Sequence, residues 1–476
     1  MTDLIGRQIV EVTLHGTEAD GLDLQRRLRR ICADAVTPSL ERTLALLGPP
    51  EGRLVIDRLE IDLGTLSWDG LARELPEAVA REVTTFLSRP AAPPEPFGEP
   101  AADIRHRTER QAVAEALLTF LRTGRLPWSY RVPAGRHLSD EVLAAWAPDA
   151  GGAPSAAFRA ELAGILAAET PRRRLLRQFP PSFHRTLLRE LSAATAATMD
   201  RCLDITGVGA DRPTSATAVS PPAAADLLRE ALWEAAFAGL TAAVPPGPAQ
   251  LLATAWRSVP VDAPGRTDLL SAIEATENID LAAGPVPAPV ITPGTTTPKN
   301  TASGTTASGR PASGGAQEDG EYVVNAGVVV LHPFLPRFFE TLGVADGDRL
   351  LQPDRALCLL HHLATGETSA PEYDLSMAKV LCEVPSDEPV TVLELGAHDL
   401  AEADLLLRSA IGHWDVLRGT GPDGLRGTFL TRAGSLHDRL LRIETESFDV
   451  LLDQLPWGLS MIQLPWMSRL LLVEWR

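Results

Sequence analysis

Lysine is nearly absent from this sequence of 476 residues. Lys299 and Lys379 are the only two lysines, and every other basic residue is arginine. Neither lysine stands in the pattern G-x-x-x-x-G-K-[ST], so the sequence excludes a phosphate-binding P-loop. The patterns G-x-S-x-G and H-E-x-x-H are also missing, so the common hydrolase templates lack their anchor residues. We therefore expect a protein without a catalytic centre.

Cysteines and long apolar runs are scarce as well. The four cysteines, Cys32, Cys202, Cys358 and Cys382, are far apart and form no C-x-x-C pair, which is typical of a reducing compartment. No apolar run reaches the roughly 18 residues that a membrane helix needs. The first residues contain no apolar core of a signal peptide. These features predict a soluble, cytoplasmic protein with no membrane partner.

The chain has no excess of basic charge. It carries 44 basic and 62 acidic side chains, for a net charge of −18. This balance argues against nucleic-acid binding and against an anionic membrane surface, because both need a basic face. From Glu321 onward there are 12 basic and 23 acidic side chains, so eleven of the excess negative charges lie there. The expected partners are proteins, with self-association among them.

The length predicts two or three domains, and two biased segments predict where they divide. Pro90–Pro100 is rich in proline, and 30 of the 39 residues from Ala282 to Gly320 are Gly, Pro, Ser, Thr or Ala. Such segments cannot bury enough apolar surface to offset the entropy of ordering. The predicted fold class is α+β, mainly helical. The predicted regions are a small α+β unit (1–90), a Pro-rich linker (91–105), a helical region (106–281), a disordered linker (282–320) and an α+β domain (321–476).

The N-terminal region shows two alternating segments and helical periodicity between them. Residues 8–15 alternate and predict a half-buried strand, followed by an amphipathic helix. Thr37-Pro38 predicts an N-cap and a helix restart. Residues 53–63 alternate again, with a phase change that predicts a bulge near Asp57.

Periodicity predicts most of the remaining elements. The predicted helices are 67–88, 107–122, 138–147, 155–168, 182–203, 223–241, 247–258, 266–278, 337–342, 351–365, 373–383, one around 407–417, one ending near 429 and 447–455. The predicted strands of the C-terminal domain are 438–444, 459–464 and 469–475.

The last thirty residues are unusually apolar for a chain terminus. They contain three of the nine tryptophans, and the triplet Leu-Pro-Trp occurs twice in them and once more at Trp128. Two interpretations apply: Trp packs on Pro as an internal core corner, or it anchors an interface. The core interpretation is favoured, because a Trp contributes about 150–250 Å² of burial. The candidate core or interaction residues are Trp128, Phe334, Trp457, Trp466 and Trp475.

Other residue groups suggest chemistry but fit a structural role better. Cys358, His361, His362 and Cys382 do not form two close zinc-ligand pairs. The G-x-G-x-x-G match that begins at Gly419 follows a predicted helix, so a turn is favoured over a nucleotide site. We therefore predict no metal and no cofactor.

Two charged groups remain. Asp57, Glu60 and Asp62 could form an acid/base cluster, but alternation places the last two on the solvent face of a strand. The basic cluster Arg172-Arg173-Arg174 with Arg177 is expected to pair with acidic surface, in particular that of the C-terminal domain.

Three patches together resemble one protein family. They are Leu59-Glu60-Ile61-Asp62-Leu63-Gly64; Phe120-Leu121-Arg122-Thr123-Gly124-Arg125-Leu126-Pro127-Trp128; and the run from Val324-Asn325-Ala326-Gly327 through Leu331-His332-Pro333-Phe334-Leu335-Pro336, His361-His362-Leu363-Ala364-Thr365-Gly366 and Leu455-Pro456-Trp457 to Leu464-Pro465-Trp466-Met467. These patches are similar to the contractile injection system tape measure family of phage-tail-like particles. The resemblance covers the first ninety residues, a short patch near 120 and nearly all of 321–476.

The resemblance implies a structural protein of a bacterial contractile particle, associated with its inner tube, baseplate or cap, and it implies no catalytic residues. It also implies a ruler that sets tube length. One continuous helix of this length would reach about 700 Å at ~1.5 Å per residue. With 39 prolines and 37 glycines, no such helix can form. The alternative is a soluble chaperone or binding module that is not retained in the particle.

Overall fold

A computed structural model shows that the chain divides into two compact units. The first unit comprises residues 1–118 and 126–153, and the second comprises 119–125 and 154–476. The structure describes residues 8–47, 53–56, 59–88, 104–133, 135–147, 152–207, 223–277, 321–414, 417, 419–443 and 457–475. The structure is 59% helical with a small sheet, so the predicted mainly helical α+β fold is confirmed. The predicted linker 282–320 lies outside the described residues, and the domain division stays a prediction.

The first unit is built around a small helical core. Its helices are α1 (Glu18–Ile31), α2 (Thr37–Leu47), α3 (Leu71–Leu87), the first part of α4 (Glu109–Thr123) and α5 (Leu138–Ala145). Helix α1 starts at a capping box, in which the Thr17 hydroxyl accepts from the backbone N–H of Asp20 and the Asp20 carboxylate accepts from that of Thr17. The apolar positions of α1 and α3 form one buried cluster that includes Leu24, Ile31 and Leu75.

Two predictions for the start of the chain are wrong. Residues 8–15 are not a strand, and all eight are exposed. The predicted restart at Thr37 is also wrong, because Thr37 has helical dihedral angles and the chain passes from α1 to α2 through the π-helical turn Cys32–Val36. Pro38 has no N–H and cannot donate a helical hydrogen bond to the preceding turn. The wider π-helical turn lets the chain continue as a helix without that bond.

The first unit also contains a two-stranded antiparallel sheet. Strand β1 (Arg53–Ile56) pairs with β2 (Ile104–Arg107), and Arg53 lies opposite Arg107. The Glu109 carboxylate accepts two hydrogen bonds from Arg53, at 2.8 and 2.9 Å, which offsets the repulsion between the two arginines. The strand is shorter than the predicted 53–63, because residues 59–63 are not in a strand. The predicted bulge near Asp57 lies outside the described residues. Strand β2 begins inside the end of the predicted linker 91–105.

The helical part of the second unit follows the predicted periodicity closely. Its helices are α6 (Ala156–Leu166), α7 (Glu169–Gln178), α8 (Pro181–Leu191), α9 (Ala193–Thr206), α10 (Ala224–Ala238), α11 (Pro248–Trp256) and α12 (Arg266–Glu277). The single helix predicted over 182–203 is two helices. Ser192 breaks the run with extended dihedral angles, and its hydroxyl accepts a hydrogen bond from the Thr195 N–H as the cap of α9. Helix α7 was not among the predicted helices.

The rest of the second unit combines helices with a five-stranded sheet. The helices are α13 (Leu335–Thr341), α14 (Pro353–Thr365), α15 (Ser376–Leu381), α16 (Ala397–His413) and α17 (Pro422–Leu425). The strands are β3 (Glu321–Val323), β4 (Ala345–Asp346), β5 (Arg349–Leu350), β6 (Gly434–His437), β7 (Leu440–Ile443), β8 (Met461–Ile462) and β9 (Leu471–Trp475). The main sheet has the order β3-β6-β7-β9-β8, and β4 pairs with β5. The predicted strands near 438–444, 459–464 and 469–475 are confirmed as β7, β8 and β9, whereas the helix predicted at 447–455 lies outside the described residues.

A buried 3-10 segment, Ala326–Leu331, forms the centre of this core. It approaches the π-helical turn Arg426–Leu430 so closely that a Cβ on Gly327 would overlap the carbonyl oxygen of Phe429. Only glycine therefore fits at position 327. Within the described ranges, each helix is too short or too polar to cross a bilayer.

Candidate functional site

The first tryptophan corner of the C-terminal stretch packs on the core. Trp457 lies at its edge and donates a hydrogen bond from its indole Nε1 to the carbonyl oxygen of Val330 at 3.0 Å. Its ring contacts Phe334 edge to face, with 5.3 Å between the ring centroids. Both side chains are half-buried. Leu455 and Pro456 lie outside the described residues.

The second corner also packs on the core, at another place and with a stacked ring contact. Trp466 donates from Nε1 to the carbonyl oxygen of Leu381 at 2.9 Å, and its ring stacks on Phe339 at 5.3 Å. The preceding Leu464 is buried, and its carbonyl accepts from the Met467 N–H to close the turn. A buried indole N–H needs a partner, and here backbone carbonyls supply it.

The other two predicted tryptophans differ from each other. Trp475 lies in β9, pairs in register with Ile443 and packs partly buried against the core. Trp128, in the first unit, is 50% exposed. The geometry of Trp457, Trp466 and Trp475 fits a core role, whereas the exposure of Trp128 leaves it free for contact. Their roles as interaction residues stay a prediction.

A buried charge cluster lies elsewhere in the second unit, around Glu372. One carboxylate oxygen of Glu372 accepts from the Arg174 Nε at 3.0 Å, and the other accepts from the Lys379 Nζ at 2.7 Å. The side chains of Arg174 and Glu372 are fully buried, and that of Lys379 nearly so. One of the only two lysines of the chain is therefore committed to this cluster.

Backbone carbonyl oxygens accept hydrogen bonds from the other nitrogen atoms of Arg174 and from the other N–H groups of Lys379. Arg174 donates to the carbonyls of Leu121 at 2.6 Å and Asp387 at 2.5 Å. Lys379 donates to the carbonyls of Ser386 at 3.0 Å and Glu388 at 2.7 Å. Burial lowers the pKa of Lys379, and Glu372 acts in the opposite direction by favouring the charged form. With its polar atoms paired in this way, the cluster is a structural clasp with no open ligand position.

The clasp explains why the patch 120–128 contains a glycine at position 124. Gly124 has φ +76°, and a Cβ there would lie 2.5 Å from a carboxylate oxygen of Glu372. Both the backbone conformation and the space therefore require glycine. Arg125, next in sequence, forms an ion pair with Glu321 at 2.6 Å.

The predicted pairing of the basic cluster with the acidic C-terminal region is confirmed for two of its four arginines. Arg174 binds Glu372, and Arg177 lies 3.9 Å from Glu388 and donates to the carbonyl of Pro389. The other two arginines pair inside the helical region, Arg172 with Glu234 at 3.0 Å and Arg173 with Glu169 at 3.1 Å. Gln178 adds two more bonds between these regions, because it accepts from the N–H of Glu372 and donates to the carbonyl of Val390.

The zinc candidates do not come together as a ligand set. Among the residues that the structure describes, no group of three or more His, Cys, Asp or Glu could hold a metal ion. Burial raises the pKa of the Cys358 thiol to about 11 and also raises that of Cys382, which disfavours the thiolate that binds zinc. The Nδ1 of His362 lies 3.1 Å from the carbonyl oxygen of Glu367. The Nε2 of buried His361 lies 3.8 Å from a carboxylate oxygen of Glu367, and burial lowers the pKa of His361.

The remaining candidate motifs are local structure. The G-x-G-x-x-G match follows the long helix α16 and overlaps the start of the four-residue helix α17, which begins at Pro422. Asp62 accepts from the N–H of Gly64 at 2.9 Å and so caps a turn, while Glu60 and Asp62 line a shallow pocket beside α3. The prediction that Glu60 and Asp62 lie on the solvent face of a strand is wrong, because neither residue is in a strand. Their position fits the expected role of ordinary solvated charges.

The outer face of the five-stranded sheet carries apolar side chains that sequence reasoning missed. Leu472 lies opposite Leu440 on one side and Met461 on the other. Leu472 is 44% exposed and Met461 is 61% exposed, whereas their neighbours Leu471 and Ile462 point into the core. The sequence of β9 contains no signal for this face, because residues 471–473 are all apolar although they alternate between buried and exposed.

Comparisons with known proteins give one match. Neither the curated proteins nor the solved structures yield a significant similarity. The model of one family, described as the contractile injection system tape measure protein, matches residues 2–475. The match spans nearly the whole chain, including the clasp residues Arg174, Glu372 and Lys379 and the tryptophan corners. The chain therefore belongs to the contractile injection system tape measure protein family, and it is a structural component of such a system.

Proposed function

We propose that this chain is a non-enzymatic assembly component that binds protein subunits of the particle at its inner tube, baseplate or cap. The C-terminal part of the second unit supplies the main contact, and the first unit supplies a second one. The observation that carries this proposal is the apolar row Leu440, Leu472 and Met461 on the outer face of the sheet.

The row is suited to a protein partner. Its members are directly opposite one another in neighbouring strands, so they form one continuous apolar strip. Burying each exposed member against a partner would contribute about 1.5–3 kcal/mol. Trp457 and Trp466 already donate their indole N–H groups to backbone carbonyls inside the protein, so we assign the contact to this row instead of to them.

The charges near the row are paired within the chain. Arg442 and Glu474, which lie opposite each other in β7 and β9, form an ion pair at 3.2 Å. Arg469 lies 3.9 Å from Asp438. The strip is therefore locally neutral in a region with a strong acidic excess. A partner surface that is neutral or basic can approach it without strong repulsion.

The test is a substitution on the row with a matched control. Leu472→Glu places a charge in the proposed contact, and Leu405→Glu places the same charge on α16, where Leu405 is 59% exposed. Both variants are expected to fold like the parent, because both side chains face solvent. We expect Leu472→Glu to reduce co-purification with particles at least tenfold and Leu405→Glu to leave it unchanged. Equal particle content in the two variants would reject the sheet face as the contact.

A second experiment addresses the assembly role itself. Deletion of the gene is expected to leave particles absent or of wrong length, and normal particles would refute the role. Mass spectrometry of purified particles separates a retained component from a chaperone that leaves after assembly, because only the first is found in the particle.

A third experiment tests whether the chain sets the length of the tube. Residues 282–320 are shortened in one strain and lengthened in another. A proportional change in tube length supports the ruler, and unchanged tube length supports an assembly scaffold that does not set length.

A further inference from the structure

Residues 8–15 have the sequence of a β-strand and the exposure of an unpaired one. Val10, Val12 and Leu14 alternate with Glu11, Thr13 and His15. The three apolar side chains are 42%, 52% and 36% exposed. Among the described residues, no strand pairs with this segment. Its backbone N–H and C=O groups are therefore available to another strand.

The segment does not contribute to the core of its own unit. The buried cluster there consists of side chains from the helices, with Leu24, Ile31 and Val36 at its centre. The capping box of Thr17 holds the start of α1 directly after the segment, which fixes the point from which the segment extends. An exposed apolar stripe on a segment with strand propensity favours association with a strand from outside the chain.

The alternation is self-complementary in one antiparallel register. With Val12 opposite Val12 of a second copy, Val10 lies opposite Leu14, and Glu11 lies opposite Thr13. The six side chains of Val10, Val12 and Leu14 then fall on one face of the pair, and no like charges oppose each other. Ile9, which is also exposed, lies opposite His15 on the other face. A register centred on Glu11 would place two carboxylates opposite each other. A register centred on Thr13 would leave Val10 opposite Gly16.

We propose that residues 8–15 pair antiparallel with the same residues of a second copy of this chain, with Val12 at the two-fold axis. This dimer contact is separate from the sheet face of the proposed function and goes beyond it. A C2 contact of this kind is isologous, so one segment supplies both sides. The contact is small compared with the roughly 1,200–2,000 Å² of stable complexes, so we expect a weak, concentration-dependent dimer.

Disulfide trapping tests the register. In a Cys32→Ser background, which removes the half-buried thiol near the segment, Val12→Cys places two thiols at the axis. In an antiparallel pair the Cα atoms of directly opposite residues are about 4.5–5.5 Å apart, within the roughly 4.4–6.8 Å that a disulfide spans. The matched control is Glu11→Cys. In the proposed register the two copies of residue 11 are offset by two residues along the strands, so their Cα atoms lie beyond the ~7 Å limit for a disulfide.

We expect mild oxidation to convert Val12→Cys to a covalent dimer at least tenfold faster than Glu11→Cys. Equal rates, or no dimer from Val12→Cys at high protein concentration, would overturn the proposal. Sedimentation gives an independent measurement without a new thiol. Val12→Lys is expected to abolish the dimer, whereas Thr13→Lys, which faces Glu11 of the second copy, is expected to strengthen it. A dimer unaffected by Val12→Lys would also overturn the proposal.

Discussion

Glu372 and Arg174 form a fully buried ion pair, with 3.0 Å between the Glu372 Oε2 and the Arg174 Nε, although 198 residues separate them in the sequence. Arg174 lies on α7, before the predicted linker 282–320, and Glu372 lies after it. The pair therefore holds the helical region and the C-terminal part of the second unit together. Because Lys379 shares the same carboxylate, Glu372 is the anion on which both cations depend.

Removing the charge of Glu372 should strongly destabilise the protein. Glu372→Gln would leave Arg174 and Lys379 buried without a counter-ion, and breaking a buried pair in this way costs about 3–5 kcal/mol. The matched control is Glu161→Gln, because Glu161 forms a half-exposed ion pair with Arg122 at 2.7 Å, and such pairs contribute at most about 1 kcal/mol. The measurement is the free energy of unfolding from urea titration. An equal loss in the two variants would show that the clasp adds nothing beyond a surface pair.

The close backbone approach at Gly327 leads to a second prediction. Gly327→Ala should lower the free energy of unfolding by several kcal/mol, because its Cβ would meet the rigid backbone of Phe429. Gly412→Ala is the control: Gly412 lies exposed in α16, and no atom is within 4 Å of its added Cβ. There alanine should stabilise the helix by about 0.5–1 kcal/mol. Thermal unfolding of both variants measures the two effects, and a neutral Gly327→Ala would contradict the observed packing.

The helices of the second unit could be predicted because their apolar period is local. The pairing of Arg174 and Arg177 with the C-terminal region could also be predicted in outline, since eleven of the excess negative charges lie from Glu321 onward. Glu372 itself could not be identified, because nothing near it in the sequence distinguishes it from the 61 other acidic residues. Its role arises only when α7 packs beside it.

Strands were harder to predict than helices. Residues 8–15 have a strand pattern, but the pattern does not say whether a partner strand lies in the same chain. Strand β6 shows the opposite failure: Gly434, Ser435 and His437 carry no strand signal, yet the segment pairs with both β3 and β7. Tertiary pairing decided both cases, and single-sequence patterns do not contain it.

Asp374 gives a prediction for the dependence of stability on pH. Burial, with a smaller contribution from the charge of Glu367, raises the pKa of Asp374 to about 6 from its ordinary value of 3.8. A carboxyl whose pKa is higher in the folded state contributes stability below the unfolded pKa, and that stability is lost as pH rises through the folded pKa. The parent should therefore lose up to about 3 kcal/mol relative to Asp374→Asn between pH 4 and pH 7. Urea titrations of both proteins across this range measure the difference, and a constant difference would contradict it.

The two kinds of tryptophan corner should respond differently to truncation. Trp466→Ala removes the hydrogen bond to Leu381 and the stack on Phe339, and such a change in a core costs about 3–5 kcal/mol. Trp128→Ala should cost less than about 1 kcal/mol, because half of that side chain is exposed.

Thermal unfolding and particle co-purification, measured on the same preparations, separate stability from contact for these two variants. We expect Trp466→Ala to melt at a clearly lower temperature and to lose particle binding only in proportion to its unfolded fraction. A Trp466→Ala protein that folds normally yet leaves the particle would assign Trp466 to an interface, because a core role cannot produce loss of binding without loss of stability.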